Sequence, residues 1–118
     1  MSILIVDDEF DARSVIELIF ELEGYEVVSA ANGEAALDQI AVRKPDVILT
    51  DWMMPIMDGP EFCRRVRANP DTRNIPIIML TGAPPTLHVA EKAWDATFIK
   101  PPDYDRLLRL VRKLTAEP

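Results

Sequence analysis

PDVILTDWMMPIMDG, residues 45–59, decides how this chain is read. Residues 47–50 form a continuous aliphatic run, the mark of a strand buried on both faces. The strand ends by handing a carboxylate, Asp51, to a Met-Pro loop that closes on Asp58-Gly59. A buried strand with an acid at its tip needs a chemical reason.

Working outward, the same grammar repeats. Residues 3–6 are a second aliphatic run, stopped by Asp7-Asp8-Glu9. From about residue 11 the period becomes helical. Ala12, Val15, Ile16, Ile19 and Leu22 share a face, and Gly24 suits a C-terminal cap. Residues 26–30 read as a strand. Asn32-Gly33 opens a helix whose apolar face is Ala36, Leu37, Ile40 and Ala41. Asp58 is placed to cap a third helix carrying Phe62 and Val66. Asn69-Pro70-Asp71 marks a loop, residues 77–80 a fourth strand, and residues 96–99 a fifth, weaker one. A last helix carries Tyr104, Leu107, Leu108, Val111 and Leu114. Between them, Gly82, Pro84 and Pro85 leave room for only a short helix, about residues 86–94.

Strands alternating with helices predict an α/β fold, a parallel sheet covered on both faces and joined by right-handed crossovers. With 118 residues and no linker, repeat or low-complexity tract, one domain over residues 1–118 is expected. The hydrophobic share of 48% supports a sizeable core. Twenty acids against thirteen bases give a net charge of −7. That balance excludes direct nucleic-acid binding, which needs a basic face, and suits basic partners or metal ions. The single cysteine, Cys63, forbids an internal disulfide and reads as a small core residue. The single histidine, His88, rules against a histidine metal site or triad and reads as a surface residue. No run approaches the ~20 apolar residues of a membrane span. Nor does a basic segment precede residues 1–6 as in a signal peptide, so a cytoplasmic location is expected.

In open parallel sheets the chemistry collects beyond the carboxyl ends of the strands. The first strand brings Asp7 and Asp8 there, the third Asp51, the fourth Thr81 and the fifth Lys100. Each close pair of acids costs about 4 kcal/mol at an effective dielectric near ~20, a cost that a divalent cation removes. Carboxylates, a backbone carbonyl and water are hard oxygen ligands that suit Mg²⁺. Because strand residues alternate, one of Asp7 and Asp8 is expected to bind directly and the other through water. A carboxylate so placed, with Lys and Thr opposite, has the makings of a nucleophile toward phosphorus. That is why Asp51 rides on a rigid strand: in-line attack demands fixed geometry. Met53 has a carbonyl to lend the metal, Pro55 stiffens the loop, and Gly59 lets the chain turn into the next helix.

Together VDDE at 6–9, DWMMPIMDG at 51–59, MLTG at 79–82 and KPP at 100–102 resemble the receiver domain of two-component response regulators, the CheY-like superfamily. The resemblance runs over residues 2–116. It implies a flavodoxin-like three-layer α/β/α fold with five parallel strands in order 2-1-3-4-5. It also implies that Asp51 is the phosphoacceptor, that Asp8 ligates Mg²⁺ directly with Asp7 acting through water, and that Met53 gives its backbone carbonyl. Thr81 would be the switch hydroxyl, Lys100 the phosphoryl-pairing lysine, and Lys100-Pro101 a cis peptide. The implied partners are a sensor histidine kinase or histidine phosphotransfer protein upstream and a protein target or effector domain downstream. No DNA-binding segment follows Lys113, so output by protein contact is expected, whether the chain stands alone or belongs to a longer regulator. The chain would not be an enzyme beyond its own phosphorylation and dephosphorylation.

Two features depart from the family pattern. An aromatic residue usually stands three before the lysine, where this chain has Thr97. Either that switch is missing or a local shift lets Phe98 or Trp94 serve; alternation along the strand points Phe98 to the other face. The segment from residue 81 to 100 is also short, so a fourth helix there should be short or irregular. A receiver-fold binding module that works without phosphorylation is therefore the alternative reading. A flavin-type binder would need a Gly/Ser/Thr phosphate loop where Asp7-Asp8-Glu9 stands. An aspartyl phosphatase would need a second acid where Met53 stands. Trp52 reads as a partly exposed contact residue, and Trp94 as packing.

Overall fold

The computed structural model describes residues 1–82 and 93–116. Five strands, β1 (Ser2–Val6), β2 (Glu26–Ala30), β3 (Val47–Asp51), β4 (Ile77–Thr81) and β5 (Ala96–Ile99), form one parallel sheet in the order β2-β1-β3-β4-β5. Four helices pack on it among the described residues: α1 (Phe10–Leu22), α2 (Gly33–Val42), α3 (Gly59–Ala68) and α4 (Tyr104–Thr115).

Alternation along the strands sends neighbours to opposite faces. Leu4, Val6, Ile48, Ile77 and Met79 meet Phe62, Cys63 and Val66 on the face covered by α2 and α3. Ile3, Ile5, Val47, Leu49, Ile78 and Leu80 meet Ile16, Phe20, Leu107 and Val111 under α1 and α4. Three helices start on side-chain caps. Asn32, Asp58 and Asp103 accept from the backbone N–H of Ala35, Glu61 and Arg106, satisfying donors that have no partner within the helix. Helix α1 has no such cap and ends at Glu23-Gly24, where Gly24 takes φ +90°.

The register explains the site. Val6 pairs with Thr50, Asp51 with Leu80, and Thr81 with Ile99, so β1, β3, β4 and β5 finish at one edge. The residues that end or follow these strands must gather there.

Two expectations need correction. Val15 and Leu22, read on one apolar face of α1 with Ile16, are exposed, while Ile16 and Phe20 are the helix's buried residues. Helix α1 carries two apolar stripes, and the stripe containing Ile16 and Phe20 is the one that covers the sheet. Ala41 of α2 is likewise exposed. The short helix read over residues 86–94 falls, apart from its last two positions, outside the described residues, as does His88.

Candidate functional site

Asp7, one residue past β1, is 1% exposed. Its backbone N–H extends the sheet by donating to Ala30 O at 3.0 Å. Its carboxylate is held at both ends: Oδ1 accepts the Glu9 N–H at 2.9 Å, and Oδ2 accepts Lys100 Nζ at 2.9 Å. Asp51, the last residue of β3, accepts the Trp52 N–H on Oδ1 at 2.9 Å and pairs through Oδ2 with the same Lys100 Nζ at 3.2 Å. Lys100 reaches both acids because its backbone N–H donates to Thr81 O at 2.8 Å, which fixes the start of its side chain beside the end of β4. The Lys100-Pro101 peptide is cis.

Asp8 is exposed beside its buried neighbour, yet Asp7, Asp8 and Asp51 each bring one carboxylate oxygen within 4.8 Å of the other two. Among the described residues, three acids face one ammonium. Burial, opposed by Lys100, pushes the Asp51 carboxyl above its ordinary value of 3.8. Burial also pulls Lys100 down, but its bonds to Asp7 and Asp51 outweigh that and leave it raised above 10.5. Excess negative charge in a half-buried cleft, offered as hard oxygen ligands, fits a small divalent cation. Thr81, buried at the end of β4, completes the rim.

The loop after β3 is shaped around this point. Trp52 N–H also donates to Leu80 O at 2.9 Å, Met57 N–H to Pro55 O at 2.7 Å, and Gly59 N–H to Trp52 O at 2.8 Å. Between them Ile56 takes φ +71°. Met53 and Ile56 are 78% and 76% exposed, and an open cleft runs past Asp8, Trp52, Met53, Met54, Pro55 and Asp58.

Sequence reading brings Asp7, Asp8, Asp51, Thr81 and Lys100 to this edge, and all five are there. It missed one neighbour and the contacts of another. Trp94, read as packing, is buried, and it meets Trp52 edge-on at 5.2 Å and donates its indole N–H to Thr97 Oγ1 at 3.0 Å. Phe98 packs instead into the core under α1 and α4. The missed neighbour is Arg13, whose Nη1 donates to Asp7 O at 2.8 Å. Arg13 precedes Ile16 by three and Phe20 by seven residues, so it lies on the helix stripe that faces the sheet, which is legible only once the sheet has chosen that stripe.

A parallel sheet in this order, with three acids and a lysine at its carboxyl edge, defines the receiver class of signalling domains. The sequence matches the response regulator receiver domain over residues 3–112, and the chain belongs to that family. It is 34% identical to sporulation initiation phosphotransferase F of Bacillus subtilis over 94% of this chain and 90% of that one. It is 49% identical to the phosphate regulon transcriptional regulatory protein PhoB of Pseudomonas aeruginosa over 69% of this chain, but spans 35% of that protein's length. Among solved structures, a response regulator of Chloroflexus aurantiacus superposes with TM-score 0.87 at 36% identity, over 98% of both chains. The receiver domain of a sensor histidine kinase from Pseudomonas aeruginosa PAO1, solved with magnesium coordinated in its active-site cleft, gives TM-score 0.87 at 28% identity over 98% of both chains. No helix among the described residues is long and apolar enough to cross a membrane.

Proposed function

We propose that the chain, taken as one receiver unit over residues 1–118, is a phosphoacceptor switch. Asp51 takes a phosphoryl group from a phosphohistidine on a sensor histidine kinase or a histidine phosphotransfer protein. The observation that carries this is the shared lysine: Lys100 Nζ lies between Asp7 Oδ2 and Asp51 Oδ2 at the mouth of an acidic cleft.

An oxygen of Asp51 attacks phosphorus, the P–N bond to the donor imidazole breaks, and that nitrogen keeps the electron pair and takes a proton. The product is an acyl phosphate on Asp51. The Trp52 N–H holds the Asp51 carboxylate in a fixed orientation, so little reorganisation precedes attack. Lys100, already desolvated, turns from Asp51 Oδ2 to the incoming phosphoryl oxygens, and the Thr81 hydroxyl donates to another of them. Asp8 and Asp51 would hold Mg²⁺ directly, with the Met53 backbone carbonyl, and Asp7 would do so through water. When bound, the ion neutralises charge on the phosphoryl oxygens. The chain thus acts on its own phosphoryl group alone. Its two states differ in which downstream protein or effector domain they favour. A cytoplasmic setting, where such kinases expose their phosphohistidine, suits this role.

Intact mass after incubation with acetyl phosphate and Mg²⁺ tests the reading. One phosphoryl adduct, absent in Asp51→Asn and in EDTA, is expected. A folded, Mg²⁺-binding chain that takes no phosphoryl group from acetyl phosphate or from a phosphorylated histidine phosphotransfer domain would favour the second reading, a receiver-fold binding module. The observation behind that alternative is Thr97, bonded to Trp94 where the family usually has an aromatic residue.

A further inference from the structure

Arg13 sits on α1 with its side chain 17% exposed. The Phe10 ring lies over the guanidinium at 5.7 Å from the centroid. Its Nε is buried and has no hydrogen-bond partner among the described residues, the Glu17 carboxylate pairing with it at 3.5 Å. An unmet buried donor costs about 1–3 kcal/mol, which offsets what the Glu17 ion pair and the Phe10 ring contribute. Beside the ion pair with Glu17 and the Phe10 ring, Arg13 makes one charge-assisted hydrogen bond, Nη1 to Asp7 O at 2.8 Å.

That carbonyl belongs to the peptide joining Asp7 to Asp8. The Asp7 side chain is fixed without it, by Glu9 N–H and Lys100. Asp8 is different, because it is exposed and no hydrogen bond from a described residue holds its carboxylate. Its aim into the acidic cluster depends on the plane of the peptide before it. A guanidinium gripping the carbonyl of that peptide sets the plane.

We propose that Arg13 is a positioning residue for the cation site: it orients the Asp7–Asp8 peptide so that the untethered Asp8 carboxylate faces the cleft. This rests on the reading of the cleft as a Mg²⁺ site. Residues that orient metal ligands from behind typically change metal affinity ~10–100-fold when removed.

Calorimetric titration with Mg²⁺ of the wild type, Arg13→Met and Arg13→Lys, beside thermal melts in EDTA, tests it. Arg13→Met should melt within a few degrees of wild type in EDTA and bind Mg²⁺ about tenfold more weakly or worse. Arg13→Lys, which can still donate to Asp7 O, should recover part of the affinity. Unchanged affinity in Arg13→Met would overturn the inference alone. So would a loss of the fold in EDTA, which would make Arg13 structural, or Arg13→Lys binding no better than Arg13→Met. A wild-type chain that binds no Mg²⁺ would remove the underlying reading and this inference with it.

Discussion

Gly59 backs directly onto Asp51: a Cβ placed on Gly59 would lie 2.3 Å from the Asp51 carbonyl oxygen and 3.1 Å from Trp52 Cα. The closest approach is backbone on backbone, so a shift of the Met79 side chain, whose Sδ would be 3.1 Å away, does not relieve it. The glycine is required by close approach, not by an unusual φ. Gly59→Ala should destabilise the fold by about 1–3 kcal/mol, read from urea unfolding. It should also loosen the strand end that carries the proposed phosphoacceptor, slowing adduct formation from acetyl phosphate. Wild-type stability in that variant would show that the α3 start shifts freely away from β3.

The raised carboxyl of Asp51 has a signed consequence. Its folded value lies above 3.8, its ordinary value. As pH climbs past that value the unfolded chain loses this proton first, so the folded state binds more protons and stability falls with pH. Asp51→Asn in EDTA should therefore be more stable than wild type at pH 7, and the gap should narrow as pH drops below about 4. Lys100, raised above 10.5, contributes stability that is present below that value and fades as pH rises through its folded value. Paired urea titrations across pH 3–9 check the acid; equal stability of variant and wild type at pH 7 would contradict it.

Ile56 is a β-branched residue at φ +71° with its side chain 76% exposed. The left-handed region costs such a residue about 1–2 kcal/mol, and asparagine tolerates it better. Ile56→Asn should raise stability by roughly 1 kcal/mol, seen as a higher urea midpoint at unchanged slope. A lower midpoint would mean that the isoleucine side chain contributes packing beyond what its exposure implies.

Met53, two residues after Asp51, stands at the mouth of the cleft and offers no acid or carboxamide to align an attacking water. Ala83, two residues after Thr81, offers none either. The phosphoryl group on Asp51 should last minutes or longer, and Met53→Asn should shorten its lifetime several-fold. Quenched-flow samples resolved by intact mass measure both; loss within seconds from the wild type would contradict the argument.

The strands β1, β3 and β4 were legible because each is a short aliphatic run closed by a polar residue, as residues 3–6 are by Asp7 and residues 77–80 by Thr81, and parallel sheets bury both faces. The helix starts at Asn32 and Asp58 were legible through their caps. The face of α1 was not, since Val15, Leu18 and Leu22 form as good a stripe as Ile16 and Phe20. Only the sheet decides between them. Within the site, the acids, the threonine and the lysine could be placed because strand ends share an edge. The bond from Arg13 could not, because its acceptor is a backbone carbonyl, which any residue supplies. The same holds for Trp94 and Thr97. Trp94 lies on the irregular approach to β5 and Thr97 within it, so they meet through a chain path that no periodicity describes.

The contact between Trp52 and Trp94 joins the chain's two tryptophans. All indole emission therefore originates in one place, and one of the two emitters is covalently next to Asp51. Neighbouring indoles exchange excitation energy, so a change around either alters the light from both. Brightness and colour would register events at the acidic cleft and stay silent to distant rearrangements that leave this pair intact. The molecule carries an unlabelled optical gauge of its own site.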